Sequence, residues 1–164
     1  MTGASGCGTT TLARAVADAW AVPHADADDY FWLPTHPPYD RKRPVEERLA
    51  LMGSVFVPRE AWVLSGSMLG WGDGVVAQCG AVVFLTLDPA ERLRRIEVRE
   101  RVRRESGTVD EEALGAFLTW ARGYDRRPGS WIGIPAESLR NLGRPTQRNQ
   151  PLTSRLRRSR ADSW

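Results

Sequence analysis

Lysine is almost absent from this chain of 164 residues. Of its 23 basic residues only Lys42 is a lysine, and every other is an arginine. Any point charge that the chemistry needs must therefore come from Lys42 or from an arginine. Cysteine and histidine are scarce too. Cys7, Cys79, His24 and His36 show neither CxxC spacing nor a metal-ligand cluster, so a zinc module and a disulfide framework are both excluded. No apolar run approaches the roughly 20 residues that cross a bilayer, and no basic stretch followed by an apolar one opens the chain. These absences predict a cytoplasmic protein without a membrane partner. A composition of 41% hydrophobic and 26% charged residues fits one globular domain with a core of useful size.

The net charge of +3 conceals an asymmetry. Residues 140–164 carry seven arginines against Asp162 alone, while the rest of the chain has a small acidic excess. The expected organisation is a folded domain over residues 1–135, followed by an Arg-rich disordered tail over 136–164. Nucleic acid could be bound only through that tail, electrostatically.

What the chain does have is a glycine-rich run near its start, Gly3-Ala4-Ser5-Gly6-Cys7-Gly8-Thr9-Thr10. It fits the phosphate-loop template G-x-x-x-x-G-K-[ST] at every fixed position except the lysine, which is Thr9. In that template the glycines turn backbone N–H groups inward around phosphates, the lysine adds a mobile charge, and the final hydroxyl ligates Mg²⁺. Gly3, Gly6, Gly8 and Thr10 keep the cradle and the metal hydroxyl. A plainer reading is that small residues open a helix, with Thr9 or Thr10 as its cap. Only Met1 and Thr2 precede Gly3, so the strand that leads into such a loop is expected to be missing.

Further along, the spacing predicts a helix from Thr10 to about Trp20 and an extended segment over Val22–Ala25. The acidic cluster Asp26-Ala27-Asp28-Asp29 follows, either a solvated turn at a strand end or a site. Pro44 suits a helix start, with Glu46–Val55 continuing it. Ala61–Leu64 reads as a buried strand breaking into Ser65-Gly66-Ser67, and a short helical stretch falls near 75–78. Residues 81–87, almost wholly apolar, read as a strand covered on both faces. Asp88-Pro89-Ala90-Glu91 supplies a cap, a first-turn proline and a glutamate, so a helix to about Arg104 follows, with Asp88 as a capping residue. The i,i+4 pairs Glu91/Arg95, Glu97/Arg101 and Glu100/Arg104 are expected along it. Thr108-x-x-Glu111 opens another helix to about Arg122, and Trp131–Ile134 is extended at most. Strands alternating with helices give an α/β fold.

In order and spacing, these segments resemble the P-loop kinases of the adenylate-kinase and shikimate-kinase type, and in particular bacterial proteins labelled adenylate kinase or AAA-family ATPase. The segments are the glycine run, Asp26–Pro34, Lys42-Arg43-Pro44-x-Glu46-Glu47-Arg48-Leu49, Trp62–Ser67 and Val83–Leu85 running into Asp88-Pro89-x-x-Arg92-Leu93. The resemblance spans about residues 3–125. It implies a three-layer P-loop NTPase-like parallel sheet with helices on both faces, the first strand missing from the chain as given. It also implies that Gly3, Ala4, Ser5, Gly6, Cys7, Gly8, Thr9 and Thr10 hold the phosphates of ATP, with Thr10 on Mg²⁺. Asp28, or less favourably Asp26 or Asp29, would orient or deprotonate a hydroxyl on a small-molecule phosphoryl acceptor. Arg95 or Arg99 would supply charge at the γ-phosphate in place of the lysine. Two alternatives stay open: a nucleotide-binding module that transfers nothing, and a nucleic-acid-associated protein acting through its tail.

Overall fold

The computed structural model describes residues 1–36, 38–105 and 111–124. The elements run β1 (Thr2–Gly3), α1 (Thr9–Trp20), β2 (His24–Asp26), α2 (Ala27–Phe31), α3 (Val45–Val55), β3 (Val63–Ser65), α4 (Asp73–Val76), β4 (Phe84–Leu85), α5 (Pro89–Glu105) and α6 (Glu111–Arg122). The tail, Thr108 and the Trp131–Ile134 segment lie outside the described residues.

The strands are short and all parallel. β1 pairs with β4 and β2 pairs with β3. Two further hydrogen bonds join the pairs: the Met1 amino group donates to the Leu64 carbonyl, and Gly66 N–H donates to the Met1 carbonyl at 3.1 Å. Those are the two halves of a parallel bridge between Met1 and Ser65. Met1, just before β1, thus joins the β2–β3 pair to the β1–β4 pair. Where no strand was expected before the glycine loop, a two-residue one, Thr2–Gly3, is present.

Side chains of successive strand residues point to opposite faces, which decides what covers β3. Val63 packs on Ala13 and Ala17 of α1. Leu64 packs the other way, into a cluster of Ala25 of β2, Ala27 and Tyr30 of α2, Met52 of α3, Val75 of α4, and Phe56 and Met68 from the connecting segments. Within it Phe56 meets Tyr30 and Trp62 edge to face.

The run 81–87 gives less strand than its apolarity predicts. Only Phe84 and Leu85 form β4, and Val82 and Val83 are exposed. The reason lies in the partner: β1 offers two residues to pair with, plus Thr2 N–H to the Val83 carbonyl at 2.9 Å. After it Asp88 caps α5 as expected, its Oδ1 accepting from Ala90 and Glu91 N–H at 2.9 and 3.1 Å. The five-residue α2 was not expected. Its cap is Asp26, whose carboxylate accepts from Asp28 N–H.

Gly3 is fixed by close approach. A Cβ there would stand 2.5 Å from the Leu85 carbonyl oxygen, a backbone atom that cannot swing away. Gly3→Val is expected to cost at least about 1–3 kcal/mol by overpacking, read as a lowered thermal midpoint. An unchanged midpoint would show that the β1–β4 pairing is not needed.

Candidate functional site: the loop after the first strand

The loop between β1 and α1 leaves the carboxyl end of a strand flanked on both sides, the place where parallel α/β sheets hold ligands. Gly6 and Gly8 take φ of +87° and +89°, the left-handed region in which glycine is free of strain. Inside the loop Cys7 N–H donates to the Ala4 carbonyl, and α1 begins with Leu12 N–H on the Gly8 carbonyl. Among the described residues, the N–H groups of Gly6, Gly8, Thr9 and Thr10 donate to no protein group. Orphaned donors at a helix start behind a turned glycine loop are what a phosphate would satisfy.

Beside the loop stands a carboxylate. Thr10 Oγ1 donates to Asp26 Oδ2 at 2.8 Å, while Asp26 Oδ1 accepts from Asp28 N–H at 3.2 Å. β2 ends at Asp26, and the cap it forms on α2 fixes the carboxylate's direction. Gly66, at φ +100°, lets β3 pass close by, since a Cβ there would meet Ala27 Cβ at 2.8 Å. No set of three or more His, Cys, Asp or Glu converges among the described residues. A hydroxyl and one carboxylate still suit Mg²⁺, which is commonly held by one or two carboxylates together with substrate phosphates. Thr10 was expected as the metal hydroxyl and Asp28 as the residue acting on the acceptor; the carboxylate bonded to Thr10 is that of Asp26.

Asp28 and Asp29 sit on the first turn of α2. Withdrawal from water raises the Asp28 carboxyl above its usual range, and the charges of Asp26 and Asp29 raise it further, against a lowering by Arg99. Asp29 is raised by burial first and by Asp26 second, with Arg14 and His24 opposing. The charge of Arg99 on α5 thus acts on Asp28, while its Nε donates to Glu100 at 2.8 Å. Arg95 is differently placed: it and Arg94 both donate to Glu91, whose carboxyl is held down to about 2 by those two bonds. Glu91/Arg95 is the only one of the three expected helix pairs found. Glu100 takes Arg99 and Arg103, Glu97 reaches Arg122, and Arg104 reaches Glu111.

Two arginines that stand in the segments carrying the resemblance are buried. Arg92, on the first turn of α5, is 1% exposed and donates to the Ser5 carbonyl at 3.2 Å. Arg48, on α3, is 6% exposed; its guanidinium lies 3.9 Å over the Phe31 ring and 5.1 Å from that of Trp71. Its Nε donates to the Arg43 carbonyl, and no carboxylate among the described residues pairs with it. Lys42 stands 5.8 Å from the same Phe31 ring. A buried guanidinium with spare donors in an aromatic box is a costly arrangement unless an anion completes it. The only hint in the sequence was aromatic density around a lone lysine.

No protein-family model matches the chain. It is 37% identical over 127 residues to the uncharacterised protein YqaC of Bacillus subtilis (strain 168), a match that covers 75% of this chain and 70% of YqaC. The chain belongs to the YqaC family.

The Asp28 shift sets a stability test. A carboxyl raised on folding keeps its proton in the folded chain after the unfolded chain has released it, so stability falls as pH rises through that window. Asp28→Asn, which cannot ionise, is therefore expected to melt above wild type at neutral pH. The difference should close as pH falls below the usual carboxyl value of 3.8. A gap that is constant with pH, measured by calorimetry, would rule out the charge as its cause.

Proposed function

We propose that this chain is a P-loop phosphotransferase with the three-layer architecture of the adenylate-kinase and shikimate-kinase type. It would move the γ-phosphoryl group of ATP to a hydroxyl of a small anionic acceptor. The observation that carries the reading is the Thr10–Asp26 contact at the mouth of a glycine loop whose amides are unspent. Gly3 to Thr10 cradle the phosphates, and Thr10 and Asp26 hold Mg²⁺, which when bound screens phosphate charge. The acceptor oxygen forms a bond to the γ-phosphorus as the bond to the ADP oxygen breaks, and the hydroxyl proton passes to Asp28. A carboxyl raised toward the operating pH is a better base than an ordinary one. Arg99 lies where it can balance that carboxylate and meet transferring phosphate, while Arg95 serves only if it releases Glu91.

Arg48, with Phe31 and Trp71 around it, receives the acceptor's anionic group, a carboxylate or a phosphate. A cytoplasmic location goes with an ATP-dependent reaction and with Cys7 and Cys79, both free thiols; no helix is long and apolar enough to cross a membrane among the described residues. A second reading, nucleotide binding without transfer, is favoured by one observation, the threonine at position 9. The nucleic-acid reading rests on residues 140–164 and would show as salt-dependent affinity lost on their deletion.

Calorimetric titration with ATP, with and without Mg²⁺, tests the site. Wild type is expected to bind, Gly8→Val to lose binding, and Thr10→Ala and Asp26→Asn to lose the Mg²⁺ dependence. Equal binding by wild type and Gly8→Val would overturn the phosphate-loop reading. Binding without turnover on any anionic hydroxyl compound would favour the second reading. Once an acceptor is found, Arg48→Met should raise its KM by roughly 10- to 100-fold, the worth of a charged hydrogen bond. ATP affinity should not change.

A further inference from the structure

The phosphate loop lacks its lysine, yet a buried cation touches it from beneath. Arg92 donates through Nη1 to the Ser5 carbonyl at 3.2 Å, across 87 residues of chain. Its guanidinium lies 5.5 Å over the Tyr124 ring, so the segment just after α6 helps to fix its direction. The α5 backbone comes equally close: a Cβ on Gly6 would stand 2.7 Å from the Arg92 carbonyl oxygen and 3.1 Å from Ile96 Cγ1. Arg92 thus bonds the loop through its side chain at Ser5, and its main chain leaves no room for a side chain at Gly6.

Ser5 C=O and Gly6 N–H belong to one peptide unit. A cation bonded to the carbonyl draws electron density through the amide, and the N–H at the other end becomes a stronger donor. That N–H has no partner among the described residues. From these contacts, and resting on the nucleotide-binding reading above, we infer that Arg92 is a positioning residue that relays positive charge through the Ser5–Gly6 peptide to bound phosphate. It stands in for the lysine that Thr9 replaces. Arginine suits the task because it stays charged when buried and its planar fork holds one direction.

The test is Mg·ATP titration of four chains: wild type, Arg92→Lys, Arg92→Gln, and Arg92→Gln combined with Thr9→Lys. Each is first checked for a cooperative melt. Glutamine keeps a neutral amide donor on a shorter side chain and removes the charge. The expected result is near-normal affinity for Arg92→Lys, roughly tenfold or weaker affinity for Arg92→Gln, and recovery in the double variant. A structural strut alone would not be rescued by a lysine placed at position 9. Wild-type affinity in Arg92→Gln, or a loss that Thr9→Lys leaves unrepaired, overturns the relay while leaving the phosphate loop intact. If Arg92→Gln does not melt cooperatively, Thr9→Lys in the Arg92→Lys background is compared instead. A gain of tenfold or more there would show that the charge was missing all along and overturn the relay; no gain supports it. Failure of wild type itself to bind nucleotide overturns the underlying reading and the inference together.

Discussion

Everything at the candidate site hangs from a strand of two residues. β1 is hydrogen-bonded to β4 on one edge and, through Met1, to β3 on the other, and the glycine loop starts where it ends. Two residues bury little side chain, so the strand is stabilised chiefly by backbone bonds on both edges and by how closely its neighbours can approach. Gly3 against Leu85 and Gly66 against Ala27 are both contacts that a Cβ would break. With β1 displaced, Thr10 would lose its register with Asp26, and the loop would lose its seat on Arg92. The closeness of backbone packing around β1 is thus what converts a flexible glycine run into a loop of one shape.

Charge is arranged around that loop with unusual economy. The acidic side, Asp26, Asp28 and Asp29, is concentrated in four residues, and their mutual repulsion with partial burial keeps Asp28 and Asp29 above the ordinary carboxyl range. The opposing cations are distributed instead: Arg14 on α1, Arg99 on α5, and Arg92 under the loop. Carboxylates that repel one another are tolerated where something positive is to be bound between them and the phosphates, and Mg²⁺ has that charge. The same logic in reverse applies at Arg48. There the desolvated charge lacks a carboxylate, and the aromatic faces of Phe31 and Trp71 compensate only part of its lost hydration.

What the sequence revealed and what it hid follow from the range over which each determinant acts. The start of α5 was legible because Asp88, Pro89 and Glu91 act within one turn. The glycine loop was legible because its conformational demands fall on Gly6 and Gly8 themselves. The length of β4 was not, since the partner rather than its own apolar residues limits it. α2 was hidden because three aspartates in four residues suggest a turn, and only the position of the Asp26 carboxylate shows that they open a helix. Two of the three expected helix pairings failed for a similar reason. Glu100 is buried, so Arg99 and Arg103 converge on it, while Glu97 and Arg104 are drawn to residues of α6. Nor could spacing separate Arg92 and Arg48, which are buried, from Arg94 and Arg95, which lie on the surface. Sequence shows where arginines are, but tertiary packing decides which of them lose their water.

That distinction bears on how a chain with one lysine would hold phosphate under the proposed function. A lysine in the loop works as a tethered point charge that moves with its ligand, and its ammonium must remain hydrated or be paired when no ligand is there. An arginine beneath the loop need not move. Its charge is already partly met by the Ser5 carbonyl and the Tyr124 ring, so it can stay buried whether or not an anion lies above. The cost is reach, because a fixed guanidinium influences phosphate only through the intervening peptide. A site built this way favours holding phosphates in place over following a transferring group. Under the proposed function the mobile charge would come from another element, and Arg99 of α5, whose charge acts on Asp28, is the candidate for it.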